Sequence, residues 1–215
     1  MLQKVDRKGL ASDAADRIRE AVFRGDFPPG APLREVDLAA CLDVSRGSVR
    51  EGLALLEREG IVHSAWHRGT RVIDLTVEDA EQVYAVRAAL EGLAARTAIG
   101  RADLSELDDL VDKMAARLGA HADSGELLAL DMRFHDAIYR STGNTRLIDA
   151  WHALRSQVYL FQLNRIRQES YRAIVVDEHR EIVRLLRAGD AGTISRYAEE
   201  HVHSAKRALV AALTP

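Results

Sequence analysis

The sequence predicts a mainly α-helical protein. Residues 1–74 read as three helices and a small β-hairpin, and residues 75–215 as an all-α bundle. Three observations carry this prediction. Ala, Leu, Arg and Glu dominate, and aromatics make up only 5% of the chain. Apolar residues recur at i, i+4, i+7, the period of a helix with one buried face. After Asp74 no stretch of any length alternates like a strand, and Gly, Asn, Ser and Asp punctuate the helical runs.

The elements follow in order. Met1 to Leu10 is polar and is expected to fray. Ser12 can cap a helix to about Arg24, with Ala15, Ile18, Ala21 and Val22 inward. Gly25-Asp26-Phe27-Pro28-Pro29-Gly30 ends it, since proline cannot continue a helix. A second helix, about Glu35 to Leu42, turns Val36, Leu38, Ala39 and Leu42 inward. Leu42-Asp43-Val44 is a tight turn. Ser45 caps the third helix, because its hydroxyl can accept an orphan backbone N–H; Ser48 with Glu51 offers a second capping box. Val49, Leu53, Leu56 and, beyond the helix, Ile61 form its buried stripe, and Gly60 suits a left-handed stop. Ile61-Val62 and His67 to Ile73 then form a hairpin with Gly69 at a basic tip. Helix, turn, helix and basic hairpin in that order make a winged helix-turn-helix.

Arg46 and Arg50 lie four apart, so they project from one side of the third helix. Two guanidinium forks near a helix N-terminus suit guanine O6/N7 edges in a major groove, or flanking phosphates. Two isolated arginines would read as a solvated helix face; their place among turn, cap, Gly stop and basic hairpin points to DNA. The candidate DNA contacts are Arg34, Ser45, Arg46, Ser48 and Arg50, with His67, Arg68, Gly69 and Arg71 on the wing. The net charge is −3, and residues 1–74 carry 12 basic and 12 acidic side chains. Binding to random DNA should therefore be weak and strongly salt-dependent.

Asp74 to Thr76 is the expected boundary. Thr76 caps a helix to about Ile99, with Val83, Val86, Leu90, Leu93 and Ala94 on one face. Further helices run over about 103–122, 125–142, 145 to beyond 163, 173–188 and 191–213. Such a bundle is large enough to enclose a cavity. Asp131 and His135 are i, i+4 on one helix, His179 is on the fifth and His201 on the last. Three imidazoles and a carboxylate suit Zn²⁺, Ni²⁺ or Mn²⁺ with open positions left over. Helical histidines are also common as core or surface groups, and His121, His152 and His203 share the same neighbourhoods. Arg87 is either a carboxylate clamp or the partner of Glu91 on its own helix face. Asn144 could bond a ligand or cap the next helix; Trp151 and Tyr159 default to core.

One cysteine, Cys41, excludes an intrachain disulfide and reads as a small core residue. No signal-like start or run of ~20 apolar residues is present, so the expected location is cytoplasmic, away from membrane.

Gly25 to Val72 resembles the DNA-binding domain of GntR-family transcriptional regulators. The resemblance rests on Gly25, Pro29-Gly30, Leu33, Glu35, Leu38-Ala39, Leu42, Val44-Ser45-Arg46, Val49-Arg50-Glu51, Leu53, Leu56-Glu57, Glu59-Gly60 and Gly69. This chain departs from the family with Gly47-Ser48 for the common Thr-Pro, and Gly52 for Ala. A helix-interior Gly costs roughly 1 kcal/mol against Ala, so a looser recognition helix is expected. The C-terminal half is similar to the FCD effector domain of the FadR-type branch. Arg87 with Leu90-Glu91, Asp131-x-x-Phe134-His135, Gly143-Asn144, Glu178-His179, Gly189-Asp190 and His201 carry it. The resemblance implies a metal on Asp131, His135, His179 and His201 and a small organic acid nearby, with Arg87 and Asn144 as candidate contacts. A homodimer is expected, because one winged helix reads only a short half-site and two give a palindromic double-stranded DNA operator, and the protein reads as a repressor rather than an enzyme. Two rivals stay open. One is a metal-dependent all-α enzyme with a DNA-binding appendage, against which no HExxH or Glu-rich di-metal pattern is found. The other is a DNA-binding dimer that responds to no effector.

Overall fold

The computed structural model describes residues 8–66, 69–119, 124–165 and 169–214. These hold nine helices and a three-stranded sheet, in two compact units, Met1–Leu75 and Thr76–Pro215.

In the first unit, α1 (Lys8–Arg24) packs on α3 (Arg46–Arg58), and α2 (Glu35–Leu42) crosses α3. Helix α1 starts a turn before Ser12, so Ser12 lies inside it rather than at its cap. Ala11, Ala14, Ala15, Ile18 and Val22 meet Val49, Leu53 and Leu56 in the core. Arg19 ties the helices further: its Nε and Nη2 donate to the Glu59 carboxylate at 2.8 and 2.6 Å. The turn between α2 and α3 places Asp43 in the left-handed region, φ 52°. Ser45 is the cap of α3, accepting from the Ser48 N–H at 3.1 Å.

The wing strands β2 (Val62–Ala65) and β3 (Gly69–Val72) pair antiparallel. A third strand, β1 (Pro32–Leu33), joins the other edge of β3, which the sequence pattern did not signal because two residues carry no period. Glu57 on α3 accepts from the Ser64 N–H at 2.7 Å and anchors the wing.

Two expectations fail here. Val36 is 57% exposed. It stands about 200° around the helix from Leu38, so the two cannot share a face. Cys41 is exposed rather than core, because α3 is the main helix that covers short α2.

The second unit contains α4 (Val77–Ala98), α5 (Leu104–Gly119), α6 (Ser124–Ser141), α7 (Thr145–Arg165), α8 (Glu169–Ala188) and α9 (Ala191–Leu213). Thr76 caps α4 and Asp190 caps α9 through their side-chain oxygens. The α4–α9 pair is the most extensive packing, and α6, α7 and α8 close the bundle around it. Gly92 permits this approach: a Cβ there would overlap the Glu199 carboxylate of α9. The buried stripe of α4 differs from the expected one. Val83 and Ala94 are buried as expected, and Ala80, Tyr84, Arg87, Ala88, Glu91, Ala95 and Ala98 also face inward, while Val86 is 52% exposed and Leu90 and Leu93 are half-buried. The polar pair Arg87 and Glu91, rather than the apolar Val86, Leu90 and Leu93, takes the core side of α4.

Candidate functional site

In the first unit, Arg46 and Arg50 lie at the start of α3 and are exposed, on one side of the helix. Arg50 is not loose. Its Nε and Nη2 donate to Glu35 Oε1 and Oε2 at 2.8 and 2.7 Å, and Arg46 Nη2 stands 3.8 Å from the same carboxylate. Hydrogen bonding to Arg50 holds the Glu35 carboxyl below its ordinary range, against a smaller opposing effect of burial. Arg34 is the exposed residue preceding α2. Ser45 and Ser48 are occupied in the α3 cap, their hydroxyls 2.9 Å apart. Arg71 donates to the Gly30 carbonyl at 2.9 Å and so also holds the sheet. Gly69 opens β3 with φ 70°. His67 and Arg68 lie outside the described residues.

In the second unit, the four residues singled out for metal come together at the buried centre. Asp131 and His135 project from α6, His179 from α8 and His201 from α9, and all are under 7% exposed. The three imidazoles present nitrogen atoms within 4.8 Å of one another. Each ring has its Nδ1 engaged. His135 Nδ1 meets Glu91 Oε1 at 2.6 Å, His179 Nδ1 meets the Val175 carbonyl at 2.6 Å, and His201 Nδ1 meets Glu178 Oε2 at 2.9 Å. These partners are acceptors, so each Nδ1 carries a proton, which leaves Nε2 as the ligating nitrogen of each ring in its neutral form.

His179 Nε2 makes the point sharply. It lies 3.2 Å from Asp131 Oδ1, yet it makes no hydrogen bond. With the proton on Nδ1, two lone pairs face each other in a buried space. A cation between them resolves that arrangement. Donors about 2.1 Å from one ion stand roughly 3 Å apart at a right angle, so the spacing fits. Nitrogens within 4.8 Å need only a small side-chain adjustment to reach one ion. The donor set therefore fits a divalent metal.

Arg87 of α4 is fully buried beside this group. Its Nη2 donates to His135 Nε2 at 3.2 Å, while its Nε and Nη1 have no hydrogen-bond partner. Glu91 Oε2 is 3.7 Å from Arg87 Nε and accepts from the Tyr139 hydroxyl at 3.2 Å. Trp151 backs the group, stacked on Tyr139 at 4.8 Å with its Nε1 donating to Asp136 at 2.7 Å. Asn144 Oδ1 accepts from the Leu147 N–H at 3.2 Å, so of its two candidate roles the structure shows the cap of α7.

Burial opposes charge throughout this site, and the neighbours decide the outcome. Burial would raise Glu91, but His135 and Arg87 bring it down to about 2. Asp131 is likewise held far below the carboxylate range by its neighbours, Arg87 among them, despite its burial. Burial pushes His201 down to about 4, against the raising effect of Glu178, and His179 and His135 add to the push. His201 is thus a neutral imidazole at neutral pH, the form that ligates metal.

The sequence matches the family model for bacterial regulatory proteins of the gntR family over residues 10–72, and that for the FCD domain over residues 82–204. The chain belongs to the GntR family, in the branch that carries an FCD domain. It is 31% identical over 202 residues to a protein of Paenarthrobacter nicotinovorans named as a D-xylose utilization operon transcriptional repressor, covering 93% of this chain and 88% of that one. It is 28% identical over 194 residues to the gluconate operon transcriptional repressor of Bacillus licheniformis, covering 86% and 79%. The fold matches E. coli McbR/YncC with a TM-score of 0.79 at 20% identity, covering 97% and 98% of the two chains. The family is one of DNA-binding transcriptional regulators, not of enzymes. In this GntR chain, sequence reading underused three groups: Glu35, Tyr139 and Glu178. Tyr139 lies four residues past His135 on α6, the one signal that could have found it.

Proposed function

We propose that this chain is a repressor that binds a palindromic operator as a cytoplasmic homodimer and releases it when a small carboxylic acid binds over a metal in the FCD domain. The observation that carries this reading is the buried cluster of three imidazoles, with His179 Nε2 lacking a hydrogen-bond partner, beside an arginine with two unused donors. Asp131, His135, His179 and His201 would hold a divalent ion of the Zn²⁺, Ni²⁺ or Mn²⁺ kind. Bound there, it supplies a Lewis-acidic position for a carboxylate oxygen.

Charge supports the pairing. Arg87 against Glu91 and Asp131 leaves the buried group one negative charge. A dication turns that to one positive, which one carboxylate neutralises. Geometry supports it too. His135 Nε2 has one lone pair, so it can serve Arg87 or an ion but not both. When it serves the ion, Arg87 Nη2 is released and joins Nε and Nη1 as donors for an acid. On the DNA side, Arg34, Arg46, Arg50 and the wing residues His67, Arg68, Gly69 and Arg71 are the proposed contacts, with the one hydroxyl hydrogen that the Ser45–Ser48 cap pair leaves over for a phosphate. The exposed Val86 with half-buried Leu90 and Leu93 on α4 supports a subunit contact.

The test is metal analysis by mass spectrometry on the purified protein and on His135→Ala and His179→Ala. One ion per chain, lost in both variants, is expected. A panel of small carboxylates is then screened by thermal shift and by operator binding. A protein that holds no ion, or an ion indifferent to both substitutions, overturns the metal-centred reading. Coupling fails if no acid changes operator affinity more than about twofold, since typical coupling is ~1–3 kcal/mol.

A further inference from the structure

Glu35 occupies an unusual position for a carboxylate. It opens α2, its side chain is 27% exposed, and it lies beside the two arginines at the start of α3. A negative charge there repels DNA phosphates, so it weakens binding to any duplex. Its geometry indicates what offsets that cost. Both oxygens engage one edge of Arg50: Oε1 takes Nε at 2.8 Å and Oε2 takes Nη2 at 2.7 Å. A guanidinium has five N–H donors in one plane. Clamped along the Nε/Nη2 edge, Arg50 keeps its far end free, with Nη1 and the second Nη2 hydrogen side by side. That end matches guanine O6 and N7 in the major groove. Arg50 is 65% exposed, and a long side chain that exposed otherwise samples many rotamers. Arg46, with its Nη2 3.8 Å from the same carboxylate, is not clamped and remains adaptable for phosphate.

We propose that Glu35 is a positioning residue for base readout, holding Arg50 end-on so that this one arginine demands a guanine in each half-site. The inference rests on the reading of α3 as the helix that enters the groove. It carries a signature that a structural role lacks. Removing the carboxylate relaxes base preference at one position while strengthening binding to random sequence. Loss of a merely structural ion pair would weaken all duplexes alike.

The experiment selects binders from a pool of randomised double-stranded DNA with the full chain and with Glu35→Gln, Glu35→Ala, Arg50→Ala and Arg46→Ala. The selected duplex, its single-base-pair variants and a random-sequence duplex are then titrated at fixed salt. Helix content by circular dichroism checks that each variant is folded, and Glu35→Gln keeps the side-chain shape. In the wild type, one guanine per half-site is expected to matter by ~5- to 150-fold, the worth of a bidentate pair. Arg50→Ala abolishes that preference. Glu35→Gln and Glu35→Ala cut it at least about fivefold and bind random duplex as tightly as wild type or tighter. Full discrimination at the Arg50 position in both Glu35 variants overturns the proposal, and so does an equal loss on every duplex. If Arg46→Ala and Arg50→Ala both select the wild-type motif, the reading of α3 itself is overturned.

Discussion

Gly52 sets two known effects against each other, and the structure decides between them. It lies inside α3, the helix that carries Arg46 and Arg50. Helix propensity alone says that Gly52→Ala stabilises by ~1 kcal/mol. The packing says otherwise. A Cβ at residue 52 would stand 2.9 Å from the Ala11 carbonyl oxygen, 3.1 Å from the Ala15 nitrogen and 3.4 Å from the Ala14 Cβ. Two of these are backbone atoms of α1, which cannot rotate aside. Helix α1 would have to back off by about half an ångström, and a gap of that size forfeits a quarter or more of each contact. The contacts at stake join Ala11, Ala14, Ala15, Ile18 and Val22 to α3, all at most 6% exposed. Overpacking of this kind costs ~1–3 kcal/mol, so the net is a loss of about 1 kcal/mol. The expected looseness of α3 is therefore replaced by a close helix–helix contact that needs glycine. Hydrogen exchange of the α3 amides in the full chain reads this unit directly. Exchange about fivefold faster in Gly52→Ala is expected. Exchange about fivefold slower would refute the packing argument and restore propensity as the larger effect.

Three further predictions follow from the helical unit. His201 titrates near 6.5 when unfolded and about 4 when folded, so the unfolded chain binds the extra proton between those values. Stability of the metal-free protein should fall as pH drops through that window, by roughly 3 kcal/mol in all, with Glu91 adding to the loss below 4.5; a urea midpoint flat from pH 7 to pH 4 in chelator would contradict this. Asp136→Ala strands the Trp151 indole N–H and frees Arg155, and should lower stability by ~1–3 kcal/mol. In a Trp66→Phe background Trp151 is the one remaining tryptophan, so its emission reports that change. Val86→Asp puts a charge on the exposed α4 face and should shift a dimer toward monomer in sedimentation; an unchanged dimer places the contact elsewhere.

The sequence was most legible where one residue type has one physical use. Ser45 and Thr76 are caps in the structure as read, because a short side-chain oxygen before an apolar period has little else to do there. Helical spacing puts Asp131 and His135 on one face; His179 and His201, on other helices, are joined to them by the family resemblance, and the fold brings all four together. Legibility ended where burial departs from hydrophobicity. On α4 the periodicity of Val86, Leu90 and Leu93 points to the wrong face, because Arg87 and Glu91 are drawn inward to His135 of α6. Such partners are distant in sequence, and no local pattern announces them. Val36 and Cys41 failed for a simpler reason: an eight-residue helix has room for one buried face, here Leu38 and Ala39.

That inversion on α4 is itself a statement about function. A buried guanidinium with two donors unsatisfied loses the desolvation cost of each, ~1–3 kcal/mol. Buried ion groups are often no more stable than apolar residues of the same volume, and can be less stable by ~1–4 kcal/mol. The bundle would therefore fold as well or better without Arg87 and Glu91, provided that both go together. Removing one alone would leave the other charge uncompensated. The double variant Arg87→Met, Glu91→Gln keeps an acceptor for His135 Nδ1 and tests the point. Its metal-free unfolding free energy should match or exceed that of the wild type, while its response to carboxylates is lost. A double variant less stable by more than about 2 kcal/mol would mean that Arg87 is held for the fold, and its open donors would no longer speak for a ligand.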